Sequence, residues 1–406
     1  MDIIKISLVG KGRQKIIASI TFDEGPHKYL HSLVTPWIEY DCVINDVPDS
    51  VAIVPFVAAI LPIAWLCDAE VVVADNIDAD FLNAVERIKQ GFQQAYPMLN
   101  FGGKITATPV HNVPHQQILE SACLFSGGIH GWASLMRHID EKPLMISLCG
   151  SDIAVTNRKA WRTVNKVNKQ TAKDFGLEYT ALTTNFREVI KEKALNKLVK
   201  ESGESWWQGF QQGILLAAYV APLAYVYGLR NIYNVSKTGV MDCCGCHVID
   251  DDSNSTDRLA KFRYLCSLPD DIISKIKFHV CEQPNSDGNN CCRCEKCYRT
   301  ILTLVAVNCL GGVERFGFAW DDKAIRRCHH FFKTDISVTS SLAMRYYPAI
   351  QQEFIKNKES IHDFAKYDWF VKMDFSKIDE YAVKKVRRFF KKVKVATRKA
   401  WRRIGR

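Results

Sequence analysis

The N-terminus lacks the features of a secretory leader. Its first ten residues, MDIIKISLVG, contain no basic segment followed by a long apolar run and a small-residue cleavage site. This absence favours a reducing cytoplasm as the location of the protein. In such a compartment we expect the 15 cysteines to serve as metal ligands or buried thiols rather than to form disulfides.

The sequence also lacks an uninterrupted apolar run long enough to cross a membrane. The best candidate, Val51–Cys67, is shorter than the ~20 residues that a membrane helix needs, and it contains Pro55 and Pro62. We therefore expect a buried strand followed by a core helix. With 406 residues, of which 47% are hydrophobic, the chain is long enough for two domains with appendages.

No acidic residue occurs in Tyr381–Arg406, although this segment holds twelve Lys and Arg residues. Since the whole chain carries a formal net charge of +10, the part before this tail is slightly acidic. Apolar residues recur in the tail at three- and four-residue intervals, which predicts a basic amphipathic helix. The predicted partner of residues 381–406 is an anionic membrane surface, at the inner face of the membrane. Nucleic acid and a solvated, unpartnered charge run are the alternatives.

The stretch Ser121–Arg137 predicts a strand, a glycine turn and a helix. Its apolar run ends at Ser126, Gly127 and Gly128, and a helical pattern follows. Such a turn leaves backbone N–H groups unpaired at a helix N-terminus, where the helix dipole favours an anion such as a phosphate. An ordinary strand-to-helix turn is the alternative.

Alternating strand and helix patterns continue after this turn and predict an α/β protein with a doubly wound parallel sheet. Gly150 and Asp152 follow one predicted strand and Arg187 follows the next, at the edge where a ligand crevice lies. Helix capping is the alternative role for such an Asp. The predicted domains are an N-terminal α/β domain (1–118), a phosphate-binding α/β domain with a cysteine cluster (119–312), a C-terminal helical region (313–378) and the basic tail (379–406).

Four cysteines have the spacing of a metal site: Cys281, Cys291, Cys294 and Cys297. The last three form a C-x2-C-x2-C motif, and the first ends a predicted strand, Ile276–Val280. Four thiolates from a loop and a first helical turn can surround a structural Zn²⁺ tetrahedrally. An iron–sulfur cluster is the alternative. We expect Cys292 to point away from the site.

A second group of possible metal ligands consists of Cys243, Cys244, Cys246 and His247. No partner pair lies at a supporting distance in the sequence. We therefore expect a loop over the crevice with incidental cysteines rather than a second metal centre.

Two motifs resemble those of a known superfamily. Residues 125–128, Phe-Ser-Gly-Gly, resemble the start of the pyrophosphate loop of the N-type ATP pyrophosphatases, Ser-Gly-Gly-x-Asp-Ser, with His130 and Gly131 in place of the Asp and Ser. Asn290–Thr303 resembles the Cys-x-x-Cys-Glu-Lys-Cys-x-Arg-Thr segment of uncharacterised bacterial relatives of 7-cyano-7-deazaguanine synthase. Those relatives share an N-terminal α/β extension and an Arg-x-x-Lys helix, which Arg258 and Lys261 match. The resemblance implies a HUP-like fold, that of the adenine nucleotide alpha hydrolases.

The resemblance also implies an activity. In that superfamily ATP, with Mg²⁺, adenylates a carboxylate or amide, and ammonia or another nucleophile displaces AMP. The resemblance assigns the phosphates to Ser126, Gly127, Gly128 and His130, the nucleoside to Gly150 and Asp152, and the offset of transition-state charge to Arg187, Arg258 and Lys261. It suggests surface-polysaccharide or small-molecule biosynthesis, while the small-molecule substrate stays unknown.

Two other functions stay open. His130-Gly131 removes the acidic residue expected near Mg²⁺, so the chain is alternatively a catalytically inactive protein that acts as a membrane-surface binding module. A tRNA-modifying enzyme is the third hypothesis. The slightly acidic body argues against it, because RNA-binding proteins usually present a basic face beside the site.

Overall fold

The computed structural model describes residues 1–114, 116–234, 241–250, 257–281, 283, 287–309, 311–335 and 340–377. The chain forms two compact units, Met1–Asp257 and a second that begins at Arg258. The predicted basic tail, residues 379–406, lies outside the described residues. The domain boundaries predicted at 118 and 312 stay predictions.

The first unit is built around one 11-stranded sheet. The strands are β1 (Ile3–Lys11), β2 (Lys15–Phe22), β3 (Trp37–Tyr40), β4 (Glu70–Asp78), β5 (Lys104–Val110), β6 (Ser121–Leu124), β7 (Leu144–Cys149), β8 (Tyr179–Thr184), β9 (Asn231–Asn234), β10 (Asp242–Cys243) and β11 (Cys246–Asp250). Their order is β10-β11-β9-β6-β7-β8-β3-β2-β1-β4-β5. The pairs β1–β4, β4–β5, β6–β7, β6–β9, β7–β8 and β9–β11 are parallel. The predicted α/β class with a mostly parallel sheet is confirmed.

The order of the strands reverses at β6. Strands β7 and β8 follow on one side of β6, whereas β9 pairs with its other side. In doubly wound sheets such a reversal opens a crevice at the carboxyl ends of the strands. The Ser126 turn directly follows β6 at this place.

One antiparallel pair, β3–β8, joins the strands of residues 1–118 to those that follow. Asn185 is buried beside this pair. Its Oδ1 accepts the N–H of Trp37 and its Nδ2 donates to the carbonyl of Thr35, both at 2.9 Å. The two predicted α/β parts therefore share one sheet.

Helices cover this sheet. They are α1 (Asp49–Ala52), α2 (Val54–Cys67), α3 (Ala79–Ala95), α4 (Ile129–Arg137), α5 (Arg158–Phe175), α6 (Phe186–Val189), α7 (Glu192–Leu198), α8 (Gln212–Ala218) and α9 (Ala221–Tyr227), with a π-helix at Trp207–Gln211. The strand predicted at the start of Val51–Cys67 is wrong. The chain is helical from Asp49, directly after Pro48. Pro55 lies in the first turn of α2, where the missing N–H breaks no hydrogen bond within the helix.

Two helical segments are long and apolar enough to cross a membrane, Asp49–Cys67 and Trp207–Tyr227. The protein buries 89% and 72% of their most apolar windows. Burial of this kind is typical of core helices in soluble proteins.

The described part of the second unit is helical. Its helices are α10 (Arg258–Cys266), α11 (Asp270–Ile273), α12 (Glu295–Ala306), α13 (Asp322–Thr334), α14 (Ser340–Lys356) and α15 (Asp368–Val371). The ring of Phe332 packs against Tyr347 and Phe370, with centroids 4.9 and 5.6 Å away. A disulfide joins Cys266, the last residue of α10, to Cys309, which follows α12. The expectation of thiols or metal ligands does not hold for this pair.

Candidate functional site

Four cysteine sulfurs meet in the second unit. The Sγ atoms of Cys281, Cys291, Cys294 and Cys297 all lie within 4.8 Å of one another, and those of Cys291 and Cys297 are 3.9 Å apart. Four thiolates bound to one Zn²⁺ at about 2.3 Å have their sulfurs about 3.8 Å apart. The predicted four-cysteine cluster is therefore present, and it can hold a metal such as zinc.

Asn290 brings the two halves of the cluster together. Its Oδ1 accepts the N–H of Val280 at 3.0 Å, and its Nδ2 donates to the carbonyl of Phe278 at 2.7 Å. These bonds fix the segment before the first ligand beside the segment that carries the other three. The strand predicted at Ile276–Val280 is wrong, because an Asn side chain replaces the neighbouring strand. Asn290 was not among the predicted site residues, although its position directly before Cys291 is a signal for such a role.

Two of the ligands lie at the start of α12. Cys294 is the N-cap residue, and Cys297 is fully buried in the first turn. Cys292 has a left-handed φ of 51°, and its Sγ accepts the N–H of Ala319 at 3.3 Å. Cys292 consequently lies outside the cluster, so that the motif supplies three ligands from four cysteines.

Hydrogen bonds within the cluster shift the pKa values of its thiols in opposite directions. The bonds with Cys294 and Cys297 lower the pKa of Cys291 far below the ordinary value. The bond with Cys291 raises the pKa of Cys294 to about 12, and bonds with Cys291 and Cys294 raise the pKa of Cys297. A divalent cation offsets the repulsion among four thiolates, so metal binding at such a cluster releases protons.

The Ser126 turn lies at the end of β6 in the first unit. Ser126 is exposed, and Gly127 has a left-handed φ of 78°. Gly128 is the N-cap of α4 and has no side chain to cap the helix. His130 is exposed, whereas Gly131 is buried, and a Cβ added to it would lie 3.4 Å from the backbone nitrogen of Ser126. The turn therefore presents a polar, uncapped helix start with a glycine packed beneath it.

A buried pair of hydrogen bonds supports this turn from below. The Oγ of Ser147, on β7, donates to the carbonyl of Phe125 at 2.9 Å. The Nδ2 of Asn168, on α5, donates to that Oγ, also at 2.9 Å. The turn is thereby tied to the neighbouring strand and helix, which limits its freedom to move.

Gly150 follows β7 at the same edge of the sheet. Its φ is +100°, and an added Cβ would lie 1.8 Å from the carbonyl oxygen of Thr184. Glycine is thus required for the close approach of the ends of β7 and β8. Asp152 is exposed two residues later. Their predicted place beside a nucleoside stays a prediction.

Arg187 follows β8 and has three partners. Its Nη2 lies 2.5 Å from Oε2 of Glu192, its Nη1 donates to the carbonyl of Ser151 at 2.9 Å, and its guanidinium stacks 4.4 Å from the Trp207 ring. These contacts account for the charge of Arg187 without a ligand. Its predicted catalytic role stays a prediction.

Arg258 and Lys261 lie on α10 in the second unit. The Nη2 of Arg258 donates to Oγ1 of Thr300 on α12 at 3.0 Å. Lys261 is only 1% exposed. Full burial of a lysine is rare, and Arg258 on the same helix is half-buried.

The second cysteine group forms part of the apolar core of the first unit. Cys243, Cys244 and Cys246 are buried in the β10–β11 hairpin. The N–H of Cys244 donates to the buried carboxylate of Asp78 at 3.0 Å, while exposed His247 bonds Asp242 through Nδ1 at 2.7 Å. Within the described ranges, the four-cysteine cluster of the second unit is the group that can hold a metal.

Fold and site together define an α/β protein with a mostly parallel sheet and a four-cysteine cluster suited to a metal ion. No family model, curated protein or solved structure matches the chain. Its function is therefore inferred from its own residues and from the motifs that resemble those of the pyrophosphate-loop superfamily.

Proposed function

We propose that the first unit binds ATP through a HUP-like nucleotide-binding fold, with the phosphates at Ser126, Gly127 and Gly128. The observation that carries the proposal is the position of this turn, after β6, where the order of the strands reverses, and at the start of α4. Ligands of doubly wound sheets bind at such reversals, and the first N–H groups of a helix favour anions. The buried bonds beneath the turn keep these N–H groups in place.

The residues of the turn have separate roles in this proposal. The N–H groups of Gly127 and Gly128 and the hydroxyl of Ser126 hold phosphate oxygens, and His130 adds a hydrogen bond from the first turn of α4. Asp152 lies beside the nucleoside. The resemblance gives adenylation of a carboxylate or amide as the reaction class, in which Mg²⁺ would shield the phosphate charge.

We further propose that the metal of the second unit is a structural Zn²⁺ held by Cys281, Cys291, Cys294 and Cys297. Four thiolates leave no open position on a tetrahedral ion, which is typical of structural sites. An iron–sulfur cluster binds its cysteines through more than one iron and separates their sulfurs further. The observed spacing therefore favours a single ion, which links the segment before α12 to α12 itself.

Calorimetric titration with ATP tests the nucleotide proposal. Gly127→Val should abolish detectable binding, because a branched side chain fills the space that phosphate oxygens need. Gly176→Val is the matched control: Gly176 also has a positive φ, +65°, but lies at the end of α5 with nothing within 4 Å of an added Cβ. Absent binding to the wild type, or equal loss in both variants, would contradict the proposal.

A catalytically inactive nucleotide-binding protein is the second candidate, and His130-Gly131 favours it. Release of pyrophosphate from ATP in the presence of candidate carboxylic acids separates the two. The double change His130→Asp with Gly131→Ser restores the motif, and the 3.4 Å spacing at Gly131 lets a serine fit with a small shift. Turnover that appears only in the double variant supports the inactive protein, whereas turnover in the wild type supports the enzyme.

We also propose that residues 381–406 attach the chain to an anionic membrane surface. Each basic residue near such a surface contributes roughly 1 kcal/mol, and an apolar stripe makes part of the binding resistant to salt. Flotation with anionic liposomes across a salt series, with a variant that lacks residues 381–406, tests this. Retention of RNA that salt fully releases would favour nucleic acid instead.

A further inference from the structure

Two arginines in the second unit have few hydrogen-bond partners for their guanidinium groups among the residues that the structure describes. Arg258 lies at the start of α10, and Arg299 lies on α12 with 7% of its surface exposed. Each has an Nε that is buried and has no hydrogen-bond partner among the residues that the structure describes. A buried donor without an acceptor costs about 1–3 kcal/mol, and more when it is charged. Such a pair is therefore unusual in a folded protein.

The contacts of these arginines fix their planes and satisfy few of their N–H groups. Arg258 donates through Nη2 to Oγ1 of Thr300 at 3.0 Å, and its guanidinium lies 5.2 Å from the ring of Phe262. Arg299 stacks 4.3 Å from the ring of Tyr346. Aromatic stacking and one hydroxyl leave most N–H groups of the two guanidiniums available for a ligand.

One carboxylate, that of Glu295, lies near these arginines, and it also accepts a hydrogen bond from a tyrosine. Oε1 of Glu295 is 3.5 Å from Nε of Arg299, too far for a good hydrogen bond, and it accepts the hydroxyl of Tyr347 at 3.0 Å. Two guanidiniums therefore face a single acidic group among these residues. The pair carries excess positive charge in a poorly solvated place.

The two charges also act on each other. Burial, and after it the nearby charge of Arg299, lowers the pKa of Arg258 to about 9. Mutual repulsion of this kind is relieved when an anion lies between the groups. An anion that binds only the folded state would stabilise it, and the stabilisation would rise with the logarithm of the anion concentration above its Kd.

We propose that Arg258 and Arg299 form a binding site for the phosphate group of a small molecule, at the junction of α10 and α12. A phosphate offers more acceptor oxygens than a carboxylate and suits the fork geometry of two guanidiniums. The hydroxyl of Thr300 fixes the first guanidinium, and the Tyr346 ring fixes the second. This site is separate from the Ser126 turn of the proposed ATP site and goes beyond that proposal.

Inorganic phosphate is the probe, and the wild-type protein gives the first measurement. Arginines are modified with phenylglyoxal, with and without saturating phosphate at matched ionic strength in chloride, and the modified sites are located by peptide mass spectrometry. Phosphate should slow modification of Arg258 and Arg299 at least tenfold. Arg263 is the internal control, because it lies on the same helix but forms two hydrogen bonds with Glu353, at 2.9 and 2.6 Å. No protection, or equal protection of all three, overturns the proposal.

Variants give the second measurement, which is the shift of the melting temperature with phosphate. Arg258→Gln should weaken the apparent phosphate affinity at least tenfold, whereas Arg263→Gln should leave it unchanged. Zinc content is measured in parallel, since α12 carries both Arg299 and Cys297 and Cys294 is its N-cap. Phosphate affinity that Arg258→Gln leaves unchanged overturns the proposal.

The two anion sites are distinguished by measuring each site in the variant that alters the other. Protection of Arg258 and Arg299 by phosphate should persist in Gly127→Val, and ATP binding at the Ser126 turn should persist in Arg299→Gln. Loss of phosphate protection in Gly127→Val would place the phosphate at the Ser126 turn instead and overturn the second site. Failure of ATP binding alone leaves the arginine site standing.

Discussion

The first unit buries apolar helices against an 11-stranded sheet. In the second unit, by contrast, cysteine side chains connect the helices. In the first, nearly every side chain of α2 is buried. In the second, no strand occurs within the described ranges, and a disulfide and a four-cysteine cluster connect α10, α12 and the segment between them. A small unit buries a smaller share of its surface than a large one, so cross-links contribute more to its stability.

Loss of the metal should give the largest effect, and it should be confined to the second unit. Cys297→Ser removes a fully buried ligand. Binding of a structural Zn²⁺ contributes on the order of 10 kcal/mol to folding, so we expect zinc loss and rapid proteolysis between residues 258 and 377. Residues 1–257 should stay resistant. Elemental analysis and mapping of limited proteolysis measure both effects.

Cys292→Ser is the matched control for that change, because Cys292 lies in the same motif but outside the cluster. It should keep about one zinc per chain. Purified protein with no zinc, or with iron, would contradict the metal assignment. Cleavage spread evenly over both units would contradict the expectation that the metal stabilises the second unit alone.

Removal of the disulfide should give the second-largest loss of stability. Cys266 and Cys309 are 43 residues apart in the sequence, and closing a loop of that length stabilises a fold by about 4 kcal/mol in the chain-entropy model. Cys309→Ser should lower the unfolding free energy of the second unit by up to that amount, as measured by urea titration. Cys328→Ser, at a buried free thiol of α13, is the control and should cost less.

Alkylation before and after reduction checks that the bond forms. Two cysteines should be protected from alkylation in the unreduced, unfolded protein. If Cys266 and Cys309 are alkylated without reduction, the pair exists as thiols, as expected for a reducing compartment. The metal site would then be the cross-link that stabilises the described part of the second unit.

The smallest of these effects should come from the first unit, where a backbone contact replaces a cross-link. Gly150→Ala places a Cβ 1.8 Å from the carbonyl oxygen of Thr184 at a φ of +100°, and the strain should cost roughly 3 kcal/mol. Gly176→Ala, at a φ of +65° with open space around the Cβ, should cost about 1 kcal/mol. Thermal unfolding measures the difference. Equal melting temperatures for the two variants would show that the strand ends adjust freely.

Local patterns in the sequence predicted some features well. The C-x2-C-x2-C spacing and the distant Cys281 identified the cysteine cluster, because ligand geometry depends on short distances along the chain. Alternating β and α patterns identified the α/β class for the same reason. The strand predicted at Ile276–Val280 was wrong, since apolar alternation cannot reveal that the partner is the side chain of Asn290.

Other features depend on contacts between distant residues and could not be predicted. Nothing in the spacing of Cys266 and Cys309 sets them apart from the other cysteines. The need for Gly150 arises from the carbonyl of Thr184 in another strand. The excess charge around Arg258 and Arg299 appears only when two helices are packed together. Each of these contacts is created by folding and leaves no periodic signal in the sequence.

The β3–β8 pair also bears on how the chain is synthesised. Trp37 and Thr184 are 147 residues apart, so β3 leaves the ribosome roughly 7–30 s before its partner, at synthesis rates of about 5–20 residues per second. During that interval β3 has an unpaired edge, which can pair with the same strand of a neighbouring nascent chain on the polysome. Because β3 has only 4 residues, the edge that can pair in this way is short. Slower translation between β3 and β8 should therefore increase aggregation of newly made chains.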